Sequence, residues 1–432
     1  MNILYIMGNY ELDDKNMTVK FITMGCKTNF YESQAMAELF RRRGFEVTEG
    51  QTADVFVINT CAVTSIGAQK SRQQISRAKR KNPDAVIAVV GCLAQTDTES
   101  VKKIGVDIVV GNDGKEKLPQ LVEDALSGKK TVACGDIMKV REFEELCPAS
   151  MQSRIRANVK IEDGCDNFCA YCIIPYARGP VRSRAMDKII EEVKLLAENG
   201  YTEIVLTGIH IGSYGKDLKN GKGLADVIEA VCGVEGIKRV RLGSVEPPVI
   251  TEEFVQRISK LSNLCPHFHL SLQSGCTETL KRMKRRYTAD EYKAAVELLR
   301  KKIKDISITT DVIVGFPGET DEEFEKSVEF CKGIGFMQMH IFKYSVRKGT
   351  AAAGFDNQIP EPVKEERSRR MLELGDKMKT EFYNSFRGRE IEVLAEQKTR
   401  DGKYHATAAN YMEFLIESDK DITGKIVKYR IL

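Results

Sequence analysis

No stretch of the 432 residues approaches the ~18 consecutive apolar residues that a membrane-spanning helix requires, which argues against an integral membrane protein. The opening sixteen residues, "MNILYIMGNYELDDKN", lack a basic leader and carry an acidic cluster, so they do not read as a secretory signal, and Met17 stands as an alternative start. The expected compartment is therefore a reducing cytoplasm, where disulfides are rare. Histidine is scarce, at five residues. Charge of one sign is also lacking: a net +4 says little about a polyanionic partner. What the chain does have is twelve cysteines. Clustered cysteines in a cytosolic chain bind metal or do chemistry more often than they pair.

The length suggests two to four domains at roughly 100–200 residues each. From residue 19 to 128, short β-branched runs such as "VKFITMGC", "ADVFVINTC" and "AVIAVVGC" alternate with helical patterns. Unalternating apolar strands between helices indicate a parallel sheet covered on both faces, here a small doubly wound α/β domain over 17–130 that follows an N-terminal extension, 1–16. Residues 131–150 lose the periodicity and read as a connector. Residues 151–383 carry six strand-then-helix units, beginning at "ANVKIEDGC" and ending at "MHIFKYS" with the helix that follows. Repeated right-handed crossovers curl such a sheet into a partial (β/α)6 barrel, open on one side, with reactive groups at the carboxyl ends of its strands. Residues 384–432 change to short strands without helices and read as a small all-β module.

Three strands of the first domain end in cysteine, at Cys26, Cys61 and Cys92. Ligands of open α/β sheets bind at the carboxyl ends of strands, so these residues can converge, although thiols at strand ends also serve as packing residues. A second triad, Cys165, Cys169 and Cys172, sits in "GCDNFCAYCIIPYARG" after the first barrel strand. A zinc site wants four nitrogen or sulfur ligands, usually in C-x2-C pairs, and no histidine lies near this C-x3-C-x2-C loop. A redox pair needs two thiols. Three thiolates on a four-iron cluster leave one iron without a protein ligand, and an open metal position is where catalysis happens. Cys134, Cys147, Cys232, Cys265, Cys276 and Cys331 have no spacing partner and read as structural. Basic stripes at Lys70, Arg72, Arg77, Lys79, Arg80 and Lys81, at "KRMKRRY" and at "RSRR" suit phosphate contact or a solvated helix face.

The cysteine loop, with "LTGIHIGSYG", "SVEP", "HLSLQSG", "LKRMKRRYT", "DVIVGFPGETDEEF" and "YSVRKGTAAA", resembles the radical S-adenosylmethionine (SAM) methylthiotransferases. "GCKTNFYES", "INTCAVT" and "VGCLAQ" are similar to that family's amino-terminal domain, and the tail is similar to a TRAM domain, an RNA-binding β module. The resemblance implies two 4Fe-4S clusters. Cys165, Cys169 and Cys172 would hold the one whose open iron binds SAM and cleaves it reductively, giving a 5′-deoxyadenosyl radical. Cys26, Cys61 and Cys92 would hold the auxiliary cluster carrying the sulfur to be inserted, and a second SAM would supply the methyl group.

By the same likeness Thr207 and Gly208 would lie near the SAM amine, Glu246 and Gln273 near its sulfonium and ribose, and Ile313 to Gly315 beside its adenine. Arg285 and Arg286 would meet phosphate, SAM or solvent. Phe168 and Tyr171 would shield the cluster or stack on adenine, and Tyr404 and Tyr411 would stack on RNA or fill the tail's core. "CIIPYARG" and "VLTGIHIG" look most like the MtaB branch, which acts on N6-threonylcarbamoyladenosine next to the anticodon of tRNA. The alternatives are a MiaB-like enzyme acting on isopentenyladenosine, a RimO-like enzyme acting on a ribosomal protein, and a metal-stabilised nucleic-acid-binding protein without catalysis. Implied partners are tRNA and a reductant such as a flavodoxin or ferredoxin.

Overall fold

The computed structural model describes residues 17–146 and 155–432; the readings made of residues 1–16 and of Cys147 lie outside them. The first unit is a six-stranded, all-parallel sheet. Its spatial order is Glu46–Val47, Thr18–Thr23, Val55–Thr60, Val86–Gly91, Ile108–Val110 and Thr131–Ala133. Successive residues of the central strands divide between two cores: Phe56, Ile58, Ile87 and Val89 pack on one face, Val55, Val57, Ala88 and Val90 on the other. That is why these strands read as continuous apolar runs. The direction of winding reverses between Thr18–Thr23 and Val55–Thr60, which makes the gap after those two strands the topological switch point. Thr131–Ala133, expected in the connector, is the sixth strand. As a short, exposed edge strand it has no second face to bury and so leaves no apolar signature.

Six further parallel strands follow in chain order: Arg156–Lys160, Glu203–Thr207, Arg239–Leu242, His267–His269, Ser307–Val314 and Gln338–Lys343. Single bridges, Val240 to Leu264 and Val245 to Leu270, join the two halves into the expected partial barrel. Residues such as Val159, Leu206, Val240, Phe268, Ile308 and Met339 face the surrounding helices in one continuous core. The alternate residues therefore face inward, and many are polar: Asn158, Lys160, Glu203, Arg241, His267, Thr309. Helix starts are chemically marked. Thr288 with Glu291 and Thr320 with Glu323 form capping boxes ahead of Ala289–Lys302 and Asp321–Ile334.

The tail forms an antiparallel four-stranded sheet, Glu390–Lys398, Tyr404–Ala408, Glu413–Ile416 and Ile426–Arg430. "KYHATAANYMEFLIE", one segment in sequence, splits into a hairpin that turns at Tyr411, whose φ is +69°. This hairpin closes the amino-terminal end of the barrel. Arg241 donates to the carbonyls of Ala409 (2.9 Å) and Ala408 (3.2 Å), Arg239 to that of Thr407 (3.1 Å), and Ser307 Oγ to that of Asn410. The Tyr411 ring stacks on His267 at 4.4 Å, while Tyr404 is buried in the tail's own core. The inward Arg239 and Arg241 are thus satisfied by tail backbone together with Glu203 inside the barrel.

Candidate functional site

Cys26, Cys61 and Cys92 follow three neighbouring strands, the first two flanking the switch point. Cys26 stands at the amino-terminal cap of the sixteen-residue helix Lys27–Arg42. Gly25 has φ +108°, and a Cβ there would lie 3.0 Å from Cys61 Cβ, so only glycine lets the Cys26 turn come this close. Burial pushes the Cys61 thiol up, and Cys92 and Cys26 push it further, which shows that the three share one neighbourhood.

The Cys165–Cys172 loop leaves the first barrel strand at its carboxyl end and is held from several sides. Ala170 N–H donates to Met283 O (2.9 Å), Arg286 to Asp166 O (2.9 Å), and Arg285 to Cys169 Sγ (3.3 Å). Phe168 adopts φ +47°, a strained state for an aromatic residue. Burial, with Cys169 adjacent, pushes the Cys172 thiol up to about 12, and burial holds Cys165 higher still. Metal binding would replace the proton that each of these thiols otherwise keeps.

Among the described residues, neither cysteine triad has its three sulfurs all within 4.8 Å of one another. Tetrahedral zinc with Zn–S of about 2.3 Å would set sulfurs about 3.8 Å apart. Each triad instead groups three mutually interacting thiols, a donor set that fits an iron–sulfur cluster.

The two triads sit on the same mouth. Asn112 Nδ2 donates to Cys92 Sγ (3.4 Å) and to Ala177 O (2.8 Å), just beyond the cysteine loop. Thr28 Oγ1 donates to Gly208 O (3.4 Å), and Arg347, in the loop after the last barrel strand, donates to Ala62 O.

Glu246 lies 2.9 Å from Arg285 and 3.3 Å from His210, and accepts from Asn167 Nδ2 at 3.1 Å. Burial alone would raise its carboxyl, but these neighbours bring it down to about 2, so it stays ionised. Glu246, Asn167, His210 and Arg286 line a cavity of about 570 Å³. Thr207, Gly208, Gln273, Ile313 and Gly315 do not line it. Gly208 packs so tightly on Glu162 that a Cβ would meet its Oε2 at 2.7 Å, which accounts for that glycine by packing. Gln273 is buried at φ +70° and exchanges backbone hydrogen bonds with Asp311 and Ile313. Ile313 and Tyr171 border a small apolar cluster of Ala170, Met283, Phe316, Tyr344 and Ala352, which roofs the cysteine loop on that side. Phe168 is more exposed and meets Tyr176 edge-on at 5.6 Å.

Within two expected basic stripes several members prove to be paired, among them Arg282 with Glu323. Arg285 is buried against Glu246 and Cys169 and does not face solvent. Arg367 and Arg370 bind Glu319, Asp321 and Glu325. On helix Ser65–Lys81 only Arg72 and Lys79 have acidic partners among the described residues, leaving Lys70, Arg77, Arg80 and Lys81 on its surface.

Sequence reasoning missed the buried charges that lock the triads together. Arg178, fully buried, donates to Glu32 (2.5 Å), Asp163 (3.1 Å) and Asn29 (2.6 Å), and Lys160 binds Glu32 (2.8 Å) and Asp163 (2.6 Å). The available signal was charge inside an apolar strand, "ANVKIEDG", and a glutamate on the apolar face of a helix.

Residues 159–331 match the Radical SAM superfamily and residues 18–111 match an uncharacterized protein family, UPF0004. The chain is 42% identical over 422 residues to a threonylcarbamoyladenosine tRNA methylthiotransferase MtaB of Bacillus subtilis, covering 96% of this chain and 94% of that protein. It is 36% identical to a tRNA-2-methylthio-N(6)-dimethylallyladenosine synthase of Thermoanaerobacter pseudethanolicus, over 98% of this chain and 91% of that one. Among solved structures, the radical SAM methyltransferase TsrM of Kitasatospora setae aligns with a TM-score of 0.59 at 14% identity, covering 78% of this chain and 74% of that chain, a likeness of fold alone. With 42% identity along nearly the whole of both chains, and two cysteine triads brought to one mouth, the chain belongs to the radical SAM methylthiotransferase family.

Proposed function

We propose that this protein converts N6-threonylcarbamoyladenosine next to the anticodon of tRNA to its 2-methylthio derivative. The observation that carries the substrate is the 42% identity over 96% of the chain to a relative named for that reaction, against 36% for the relative named for dimethylallyladenosine. Cys165, Cys169 and Cys172 hold a 4Fe-4S cluster, and Cys26, Cys61 and Cys92 hold a second. When bound, these groups supply one-electron cleavage of SAM and the sulfur to be inserted. They are needed because the carbon-2 hydrogen of adenine is not acidic enough for side-chain bases.

The chain's own residues place and shield the reactants. Glu246, ionised and held by Arg285 and Asn167, offers a fixed negative charge to a cationic cosubstrate at the cysteine loop. Thr207, Gly208, Gln273, Ile313 and Gly315 ring the strand ends around the same mouth, and Tyr171 with its apolar neighbours keeps water from the loop. Phe168 and Tyr176 cover the exposed side. Lys70, Arg77, Arg80 and Lys81 give the tRNA backbone a phosphate-binding face. Electrons come from a flavodoxin- or ferredoxin-type reductant. No helix among the described residues is long and apolar enough to cross a membrane.

The test is incubation of the anaerobically reconstituted enzyme with SAM, a reductant and, in parallel, anticodon stem-loops or ribosomal protein. A methylthio gain in mass on threonylcarbamoyladenosine is expected. Gain only on isopentenyladenosine, or only on a ribosomal protein, would assign a different branch.

A further inference from the structure

Below the cysteine mouth, the inner faces of the last three barrel strands carry a second group of metal-ligating side chains. His269 closes the strand His267–His269, Asp311 lies in Ser307–Val314, and His340 lies in Gln338–Lys343 directly opposite Asp311. One ligand atom from each lies within 4.8 Å of the others, and among the described residues no other trio of His, Cys, Asp or Glu does so. His269 Nε2 is 3.3 Å from Asp311 Oδ2, and the two imidazole rings are 6.0 Å apart. Zn–N and Zn–O bonds of about 2.0–2.2 Å place neighbouring tetrahedral ligand atoms about 3.3 Å apart.

The outer partners also fit. Thr309 Oγ1 lies between His269 Nδ1 (3.1 Å) and His267 Nε2 (3.0 Å). A histidine that binds metal through one nitrogen is oriented by such a hydrogen bond at the other. The remaining nitrogen, His269 Nε2, is buried and makes no hydrogen bond although a carboxylate stands beside it. Asp311 pairs with no lysine or arginine among the described residues. His340 is exposed, so one side of the group opens to the barrel interior.

We propose that His269, Asp311 and His340 bind one divalent d-block cation of the zinc class. Two imidazoles and a carboxylate are a nitrogen and oxygen donor set suited to such ions, and three protein ligands leave a position open. That position takes an oxygen donor, water or a carboxylate. Asp311 is two residues before Ile313, and its backbone carbonyl accepts from Gln273 N, so the ion sits one layer beneath the strand ends. The site is separate from both cysteine triads and does not depend on which nucleoside is modified.

The test uses holoenzyme with its clusters rebuilt, dialysed against buffered zinc, with zinc and iron measured on the same sample. Wild-type protein is expected to hold about one zinc more per chain than His340→Ala or Asp311→Asn, at equal iron. Thr309→Val, which removes the outer partner, is expected to weaken zinc binding about 10- to 100-fold. The zinc absorption-edge spectrum of the wild-type protein decides independently of the variants: a histidine-and-oxygen shell supports the site. Equal zinc in wild type and both variants, or a shell containing sulfur, overturns it.

Discussion

Arg178 carries more of the architecture than any cysteine. Its guanidinium is fully buried between Glu32 and Asp163, one from each α/β unit, and lies near Cys92 while belonging to the segment that follows Cys172. Arg178→Met would leave two buried carboxylates short of a cation and is expected to cost about 3–5 kcal/mol, read as a lowered urea midpoint. For Glu32, burial opposes ionisation, but Arg178, Lys115 and Lys160 outweigh it and bring the carboxyl down to about 2. Its stabilisation is therefore complete above pH 4.5 and is lost as pH falls toward 2. Glu162 behaves oppositely. Burial raises it to about 8, and its Oε2 accepts from the N–H groups of Ile209 (3.0 Å) and His210 (2.7 Å). The folded chain keeps that proton where the unfolded chain has released it, so stability falls as pH rises from 4.5 to 8. Glu162→Gln is expected to flatten this slope in denaturation series across that range.

Among the elements, the parallel strands were legible because burial on both faces leaves unbroken β-branched runs, and the strand ends carrying Cys26, Cys61 and Cys92 group from sequence pattern alone. Thr131–Ala133 was not legible, since an exposed edge strand has nothing to hide. The hairpin Tyr404–Ile416 was blurred because its turn uses Tyr411 in a left-handed state where sequence leads one to look for glycine. In "RSRR", Arg369 pairs with Glu366 and Glu373 on its own helix, whereas the partners of Arg367 and Arg370, namely Glu319, Asp321 and Glu325, sit outside that helix and were not legible from spacing. The trio His269, Asp311 and His340 was missed likewise, one residue coming from each of three strands. Iron analysis tests the element-level reading. Replacing Cys26, Cys61 and Cys92 together with alanine is expected to halve the iron from about eight to about four per chain and leave reductive SAM cleavage. Unchanged iron would remove the second cluster from the account.

At the scale of the whole molecule, the barrel is closed at one end by the tail and capped at the other by the first sheet. Arg239, Arg241, Ser307 and His267 hold the tail hairpin, while Thr28, Asn112, Arg178 and Arg347 hold the sheet. Helix Ser65–Lys81 starts beside the last barrel loop, where Ser65 Oγ meets Ser345 Oγ at 2.6 Å, and carries the basic residues left unpaired among the described residues on an exposed face. Changing Lys70, Arg77, Arg80 and Lys81 to alanine is expected to weaken tRNA binding and to reduce its salt dependence by about 0.7–0.9 per lost phosphate contact, measured by titration at several salt concentrations. The most direct test of the central claim is nucleoside analysis of tRNA from cells that lack this protein. Loss of the 2-methylthio form of threonylcarbamoyladenosine, with the unmodified parent accumulating, is the predicted result. Persistence of that methylthio nucleoside would contradict it.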